Sequence, residues 1–199
     1  MKNDFGKSIR NQHASLAAVL RSLTLMIRQG PGDEPECFFD VMRAMLFYID
    51  EFPERLHHPR ESNLLFPRVL KVAPHLMSVI LSLENDHMLS ERKVRDLQHL
   101  LLAWELLGES RREVFEDAAS QYVRFYLDHM RIEEVEVLPV AAQLLSPQDR
   151  AELDAAFESD ANPLATVDRQ PIYDRLFSRI VIRAPAPIGV GPAQDGVSG

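Results

Sequence analysis

From Leu76 to Trp104 the chain carries Leu76, Ile80, Leu83, His87, Ser90, Val94, Leu97, Leu101 and Trp104 in unbroken steps of four and three. That rhythm gathers side chains on one face of an α-helix, whereas a strand would scatter them over both faces of a sheet. One long helix is predicted after Pro74, with Gly108 as its stop. His87 interrupts its buried stripe.

Three further stretches repeat the pattern. Ile9, His13, Leu16, Leu20, Leu23 and Ile27 form a first stripe, ended by Gly30-Pro31-Gly32. Asp33 is a candidate N-cap for a second helix with Pro35 in its first turn and a stripe of Phe38, Val41, Met45, Tyr48 and Phe52. Pro53 and Pro59 should kink that helix, because each removes a backbone donor. A capping box from Ser110 to Glu113 opens a fourth, with Phe115, Ala118, Tyr122, Phe125, His129 and Ile132 in its seam. Ser146 and Pro147 start a short fifth that runs to about Phe157. No strand is required. The expected fold is all-α: an up-down-up-down four-helix bundle over residues 1–163 with a short extra helix. Residues 164–199 read as a C-terminal extension ending in a flexible tail. Its amphipathic stretch Ile172 to Arg183 is a candidate surface for a homodimer or a protein partner.

The net charge of −8 and the lack of a Lys/Arg cluster argue against a nucleic-acid partner. No window is apolar enough for a membrane span, and the N-terminus lacks a leader-like apolar core, so a cytoplasmic location is expected. Cys37 is the only cysteine, which excludes an internal disulfide and a cysteine-based metal site within one chain. Gly-rich nucleotide-binding patterns are absent.

The stretch "ERLHHPRESNLLFP" holds His57, Glu61 and Pro67, and the same spacing returns as His129, Glu133 and Pro139. One helix before each pair stands a lone seam histidine, His13 or His87. Residues four apart share a helix face, so each histidine–glutamate pair can bind one metal ion or span two, with the lone histidine reaching in from the neighbouring helix. Imidazole with carboxylate suits iron or manganese. His87 and His129 are equidistant from Gly108, which places them level in an antiparallel hairpin; the match of His13 with His57 across its turn is poorer. Because a residue before proline avoids the helical region, His58 is expected at a break, and either His57 or His58 can serve as the ligand, with the repeat favouring His57. His75 and His99 lie too far along the helix axis from His87 to share its site.

With these motifs the sequence resembles the hemerythrin-like, HHE cation-binding proteins of bacterial type, over roughly Ile9 to Pro163. "YIDEFPERLHHPRESNLLFP", "DHMRIEEVEVLP", "QHASL" and "ENDHM" carry the resemblance. It implies a bundle around two non-haem iron ions with an oxo or hydroxo bridge, manganese or zinc being possible substitutes. His13, His57, Glu61, His87, His129 and Glu133 would be the ligands, with Glu61 and Glu133 bridging. Ser62 stands where an acidic residue often follows the first glutamate. Leu83 and Glu91 occupy the positions one turn either side of His87, so the second histidine of the oxygen carriers' third helix is missing; four histidines and two bridging carboxylates would give each iron four protein ligands. The implied function is binding or reaction of dioxygen, nitric oxide or peroxide in sensing, stress response or iron–sulfur cluster repair; the alternative is a non-catalytic iron or oxygen store. Tyr122 and Tyr126 lie on the metal side of the fourth helix, and Asp128 and Glu84 are candidates to hold the outer ring proton of a ligand histidine.

Overall fold

A computed structural model describes residues 4–158 of the chain. The boundary expected at residue 163 and the segment Ile172 to Arg183 lie outside them. The first helix, α1 (Phe5–Gln29), is capped by the Asp4 carboxylate, which accepts from the Gly6 amide at 2.9 Å. It stops where Gly30 takes φ of 72°, a conformation that other residues adopt only with strain.

The second helix, α2, opens at Pro35–Phe52. Glu34 rather than Asp33 precedes it, because a proline at the first helical position forces its predecessor out of the helical region. The prolines expected to kink α2 do not break it. The chain continues through a π turn (Pro53–His57), an α turn (His58–Arg60), a second π turn (Glu61–Leu65) and an α segment (Phe66–Val72). His58 and Phe66 each donate their amide five residues back, to the carbonyls of Pro53 and Glu61, and each directly precedes a proline. Widening the helix by one residue just before Pro59 and Pro67 accommodates rings that would clash with the carbonyl four back in a regular helix.

A turn of 3-10 helix (Pro74–Leu76) leads into α3 (Met77–Leu107). Its buried face is Ile80, Leu83, His87, Ser90, Val94, Leu97, Leu101 and Trp104, as the sequence rhythm requires. After Gly108, at φ of 85°, a 3-10 turn (Glu109–Arg111) absorbs Ser110, so the expected capping box does not form and α4 (Arg112–Ile132) begins at Arg112. On α4 the fully buried line is Phe115, Ala119, Tyr122, Tyr126 and His129, then Glu133. Ala118, Phe125 and Ile132, expected in that line, pack half-buried at its edge. A π turn (Glu133–Val137) and an α segment (Leu138–Leu144) extend α4, with Leu138 donating to the Glu133 carbonyl just ahead of Pro139. The histidine–glutamate–proline repeat is thus a repeat of backbone as well as of side chains.

Each long helix packs against its neighbours in sequence and α4 closes on α1, giving the four-helix bundle. No strand occurs among the described residues, and no helix among them is long and apolar enough to cross a membrane. The core falls into two apolar clusters. One runs from Leu16 on α1 through Phe52, Val94 and Trp104 to Tyr126 and Met130; the other joins Phe5, Ile9, Leu65, Phe66, Leu83 and Val137 to Leu153 and Phe157. His13, His57, Glu61, His87, His129 and Glu133 lie between them in sequence on every helix, so the bundle holds one buried polar layer between two apolar ones.

The short helix α5 (Pro147–Glu158) is capped by Ser146, whose Oγ accepts from the Asp149 amide at 3.1 Å. The Phe5 amide donates to Asp154 at 2.7 Å, and Arg68 donates to Glu152 at 2.6 Å, fixing α5 across the end of the bundle. Phe157 is fully buried there, its ring centroid 6.5 Å from that of His57. Replacing Phe157 with alanine should lower the unfolding free energy by about 3–5 kcal/mol. Urea titration followed by circular dichroism checks this, and an unchanged midpoint would show that α5 is not part of the cooperative unit.

Candidate metal centre

Glu61 and Glu133 begin π turns on opposite helices, α2 and α4, and both are completely buried. Around them converge five histidines, all under 9% exposed: His13 from α1, His57 and His58 from α2, His87 from α3 and His129 from α4. Their donor atoms form two groups, each with all members within 4.8 Å of one another: His13, His57, Glu61 and Glu133, and His58, Glu61, His87 and His129.

Each carboxylate serves both groups with different oxygens. Glu61 places Oε1 3.1 Å from His57 Nε2 and Oε2 3.6 Å from His87 Nε2. Glu133 places Oε2 3.2 Å from His13 Nε2 and Oε1 3.5 Å from His129 Nε2 and 3.9 Å from His87 Nε2. The Nε2 atoms of His13 and His57 lie 3.2 Å apart, so the poorer match of their sequence positions does not keep the rings from meeting.

The outer nitrogens explain why the rings point inward. His13 Nδ1 meets Glu134 Oε1 at 2.9 Å, His57 Nδ1 meets Gln12 Oε1 at 2.7 Å and His58 Nδ1 meets Glu54 Oε2 at 3.1 Å. His87 Nδ1 is 3.1 Å from Ser62 Oγ, which in turn donates to Glu84 at 2.8 Å, and His129 Nδ1 is 3.5 Å from Asp86. An acceptor at Nδ1 holds the proton on that nitrogen and leaves the Nε2 lone pair to face the centre, except on His58, where Nε2 accepts from the Tyr126 hydroxyl at 2.6 Å. Gln12, Asp86 and Glu134 each neighbour a site residue in sequence and hold a histidine of another helix.

Among the described residues, the buried side-chain polar atoms without a hydrogen bond are Tyr48 Oη and otherwise members of this cluster: all four oxygens of Glu61 and Glu133, His87 Nε2 and both ring nitrogens of His129. Buried carboxylate oxygens are costly to leave unsatisfied. Convergent imidazole nitrogens and carboxylate oxygens are a donor set for a divalent or trivalent first-row metal, so the residues fit such an ion on the chemistry of their atoms.

Six residues singled out in the sequence, His13, His57, Glu61, His87, His129 and Glu133, are brought together. His58, left open beside His57, joins them, because the π turn ending at His57 and the α turn starting at His58 keep both rings buried. Four histidines therefore become five, the fifth coming from α2 rather than α3. Tyr126 Oη is 2.6 Å from His58 Nε2, and Ser90 donates to Glu54 at 2.6 Å while lying 3.2 Å from Tyr122 Oη. Asp128 holds no histidine; it pairs with Arg131 at the surface. Glu84 does, but through Ser62. His75 and His99 are exposed, and Glu91 pairs with Arg95 on the outer face of α3. The Glu54–His58 spacing of four was the signal available for the fifth ring.

In the polypeptide alone, burial pushes the Glu61 carboxyl up to about 7, against the pull of His13 and His129. Burial draws His13 down, but Glu133 and Glu134 beside it prevail and raise it to about 9. Burial and neighbouring imidazoles lower His57 and His87 to about 3, leaving both neutral.

The sequence model of one family, described as the hemerythrin HHE cation binding domain, matches residues 5–141. Comparison with curated proteins returns no match.

A cation entering this centre must displace the proton on His13 and, below about pH 7, that on Glu61, whereas His57 and His87 carry none. Apparent metal affinity should therefore rise by roughly tenfold per pH unit or more between pH 7 and 9, and more steeply below 7. Chelator competition across that range checks the slope, and a flat profile would contradict the proton assignment.

Proposed function

Since the chain belongs to the hemerythrin HHE cation-binding family, we propose that its buried cluster holds two non-haem iron ions and that the protein binds or reacts with a small molecule such as dioxygen, nitric oxide or peroxide. His13 and His57 would hold one ion, His58, His87 and His129 the other, with Glu61 and Glu133 shared. The observation that carries this reading is the set of inward nitrogen and carboxylate donors, every member buried, in two groups that share Glu61, with Glu133 a member of one and 3.5 Å from His129 of the other. Two trivalent or divalent ions would satisfy charges and lone pairs that protons on His13 and Glu61 meet only in part.

Bound there, the iron pair supplies reversible electron transfer and a coordination position for an incoming molecule. The chain's own residues do the rest. Gln12, Glu54, Glu134 and the Ser62–Glu84 pair hold protons on the outer ring nitrogens, so the imidazoles stay neutral at the inner ones. Two histidines serve one ion and three the other, so the His13–His57 side has fewer protein donors and is the side open to a ligand. Tyr126 presents its hydroxyl to His58 inside the same layer. Phe66, stacked 5.7 Å from the His87 ring, and Phe157 beside His57 exclude water from one side. Sensing, stress response and iron–sulfur cluster repair are the roles that suit such a centre.

Metal analysis of the full chain, with absorption spectra before and after reduction, tests the reading. Two iron ions per chain and near-ultraviolet absorption that bleaches on reduction are expected; no metal after anaerobic reconstitution with iron would sink it, and zinc alone would remove the redox part. Glu133→Leu should abolish iron binding. In iron-stripped protein the same change should move the unfolding free energy by no more than about 1–3 kcal/mol, because loss of the buried carboxylate is offset by loss of the partner that protonated His13 has 3.2 Å away. Thermal or urea unfolding with and without iron separates the two effects.

A further inference from the structure

Two clefts on the surface of the bundle differ in what they reach. The larger, about 610 Å³ between α2 and α3, is lined by residues such as Phe47, Asp50, Gln98 and Leu102 and touches no member of the metal centre. The smaller, about 380 Å³ between α1 and α4, is lined by His13 together with Ala14, Ala17, Met130 and Glu134.

The sequence of α1 makes this second cleft. Where the buried face carries Leu16, Leu20 and Leu23, the face turned to the cleft carries Ala14 and Ala17, which leave space beside α4. His13 is only 3% exposed, yet its ring belongs to the cleft wall, and Glu134, which holds its Nδ1, is 37% exposed. Between solvent and the centre stand one imidazole and one carboxylate. The other rings are backed by protein: His57 by Gln12 and Phe157, His58 by Glu54 and Tyr126, His87 by Phe66 and Ser62, and His129 by Asp86 and Tyr126. Charge at the mouth is balanced. Arg10 acts on Glu134, and Arg131 is engaged by Asp128. Such a mouth suits a small neutral molecule or a monoanion and gives a polyanion no unpaired cationic pair to grip.

We propose that the α1–α4 cleft is the way in to the His13–His57 side of the centre, with Ala14 and Ala17 setting the size of molecule that passes. It rests on the di-iron reading above, and it agrees with the smaller number of protein donors on that side.

Ala14 is exposed and Ala17 half-buried, so Ala14→Leu and Ala17→Phe fill the cleft without opening the core. In the oxidised, iron-loaded full chain, the on- and off-rates of azide, followed by stopped-flow absorption, should each fall at least about tenfold in these variants. The equilibrium constant and the iron content should stay the same. Leu102→Trp, in the larger cleft, should leave the rates unchanged. A second measurement needs no iron: with the full chain in a diamagnetic state, metal-free or zinc-filled, dissolved dioxygen should relax the Met130 methyl, which is 5% exposed, more than that of Met45, which is 0% exposed. Ala17→Phe should erase the difference. Unchanged azide rates in both alanine variants, slowing in Leu102→Trp instead, or equal relaxation of the two methyls would overturn the cleft as the route. Failure to bind iron with the Met130 effect intact would sink the di-iron reading and leave the route to the cluster standing.

Discussion

Two carboxylates at the centre of an otherwise apolar bundle constrain everything around them. Glu61 and Glu133 are completely buried, and none of their four oxygens makes a hydrogen bond. A pair of negative groups in such a place is tolerable only with positive charge among them. The polypeptide alone meets the demand in part with protons, through the raised Glu61 and His13. Metal ions meet it fully, because each carboxylate already faces two histidine groups with separate oxygens. The five histidines are arranged to the same end, four of their outer nitrogens hydrogen-bonded and that of His129 facing Asp86 at 3.5 Å.

Bringing that polar layer into register takes an adjustment of the backbone. Each glutamate starts a π turn, and each π turn ends two residues before a proline. The extra residue per turn both admits the proline ring and changes which side chains face inward. On α2 a further π turn, ending at His57, lets consecutive histidines share the buried layer, one in each donor group. The apolar clusters above and below hold the helices at fixed separation, so the layer is defined by packing that it does not itself supply. The cleft beside His13 follows from two alanines on α1, a local economy of volume with a consequence for access.

Much of this was legible in the sequence. The rhythm of α3 named every buried residue on that helix, because a 3.5-residue repeat over eight turns has no other reading. On α4 the reading drifted by one residue at Ala118, Phe125 and Ile132, since adjacent apolar residues such as Ala118 and Ala119 allow two seams and only the packing chooses. Prolines were read as kinks because local rules penalise them in a regular helix, and the widened turn that accommodates them is a cooperative property of the backbone. Asp33 and Ser110 looked like caps from their chemistry, but Pro35 and the turn after Gly108 moved the helix starts past them.

The repeated histidine, glutamate and proline spacing by itself determined that the chain is a helical bundle with histidines and glutamates inside, because buried charge at helical spacing is too unfavourable to arise without a partner. Only the tertiary structure decided which atoms meet: that His58 joins the centre with His57, that Gln12, Asp86 and Glu134 hold rings on other helices, and that His13 lies beside a cleft. Those relations join residues far apart in sequence, some by more than a hundred positions, as in His13 and Glu134. Helix periodicity specifies which face a residue occupies, and the rotation and level of one helix against another, which fix contacts between faces, depend on the packing of all four.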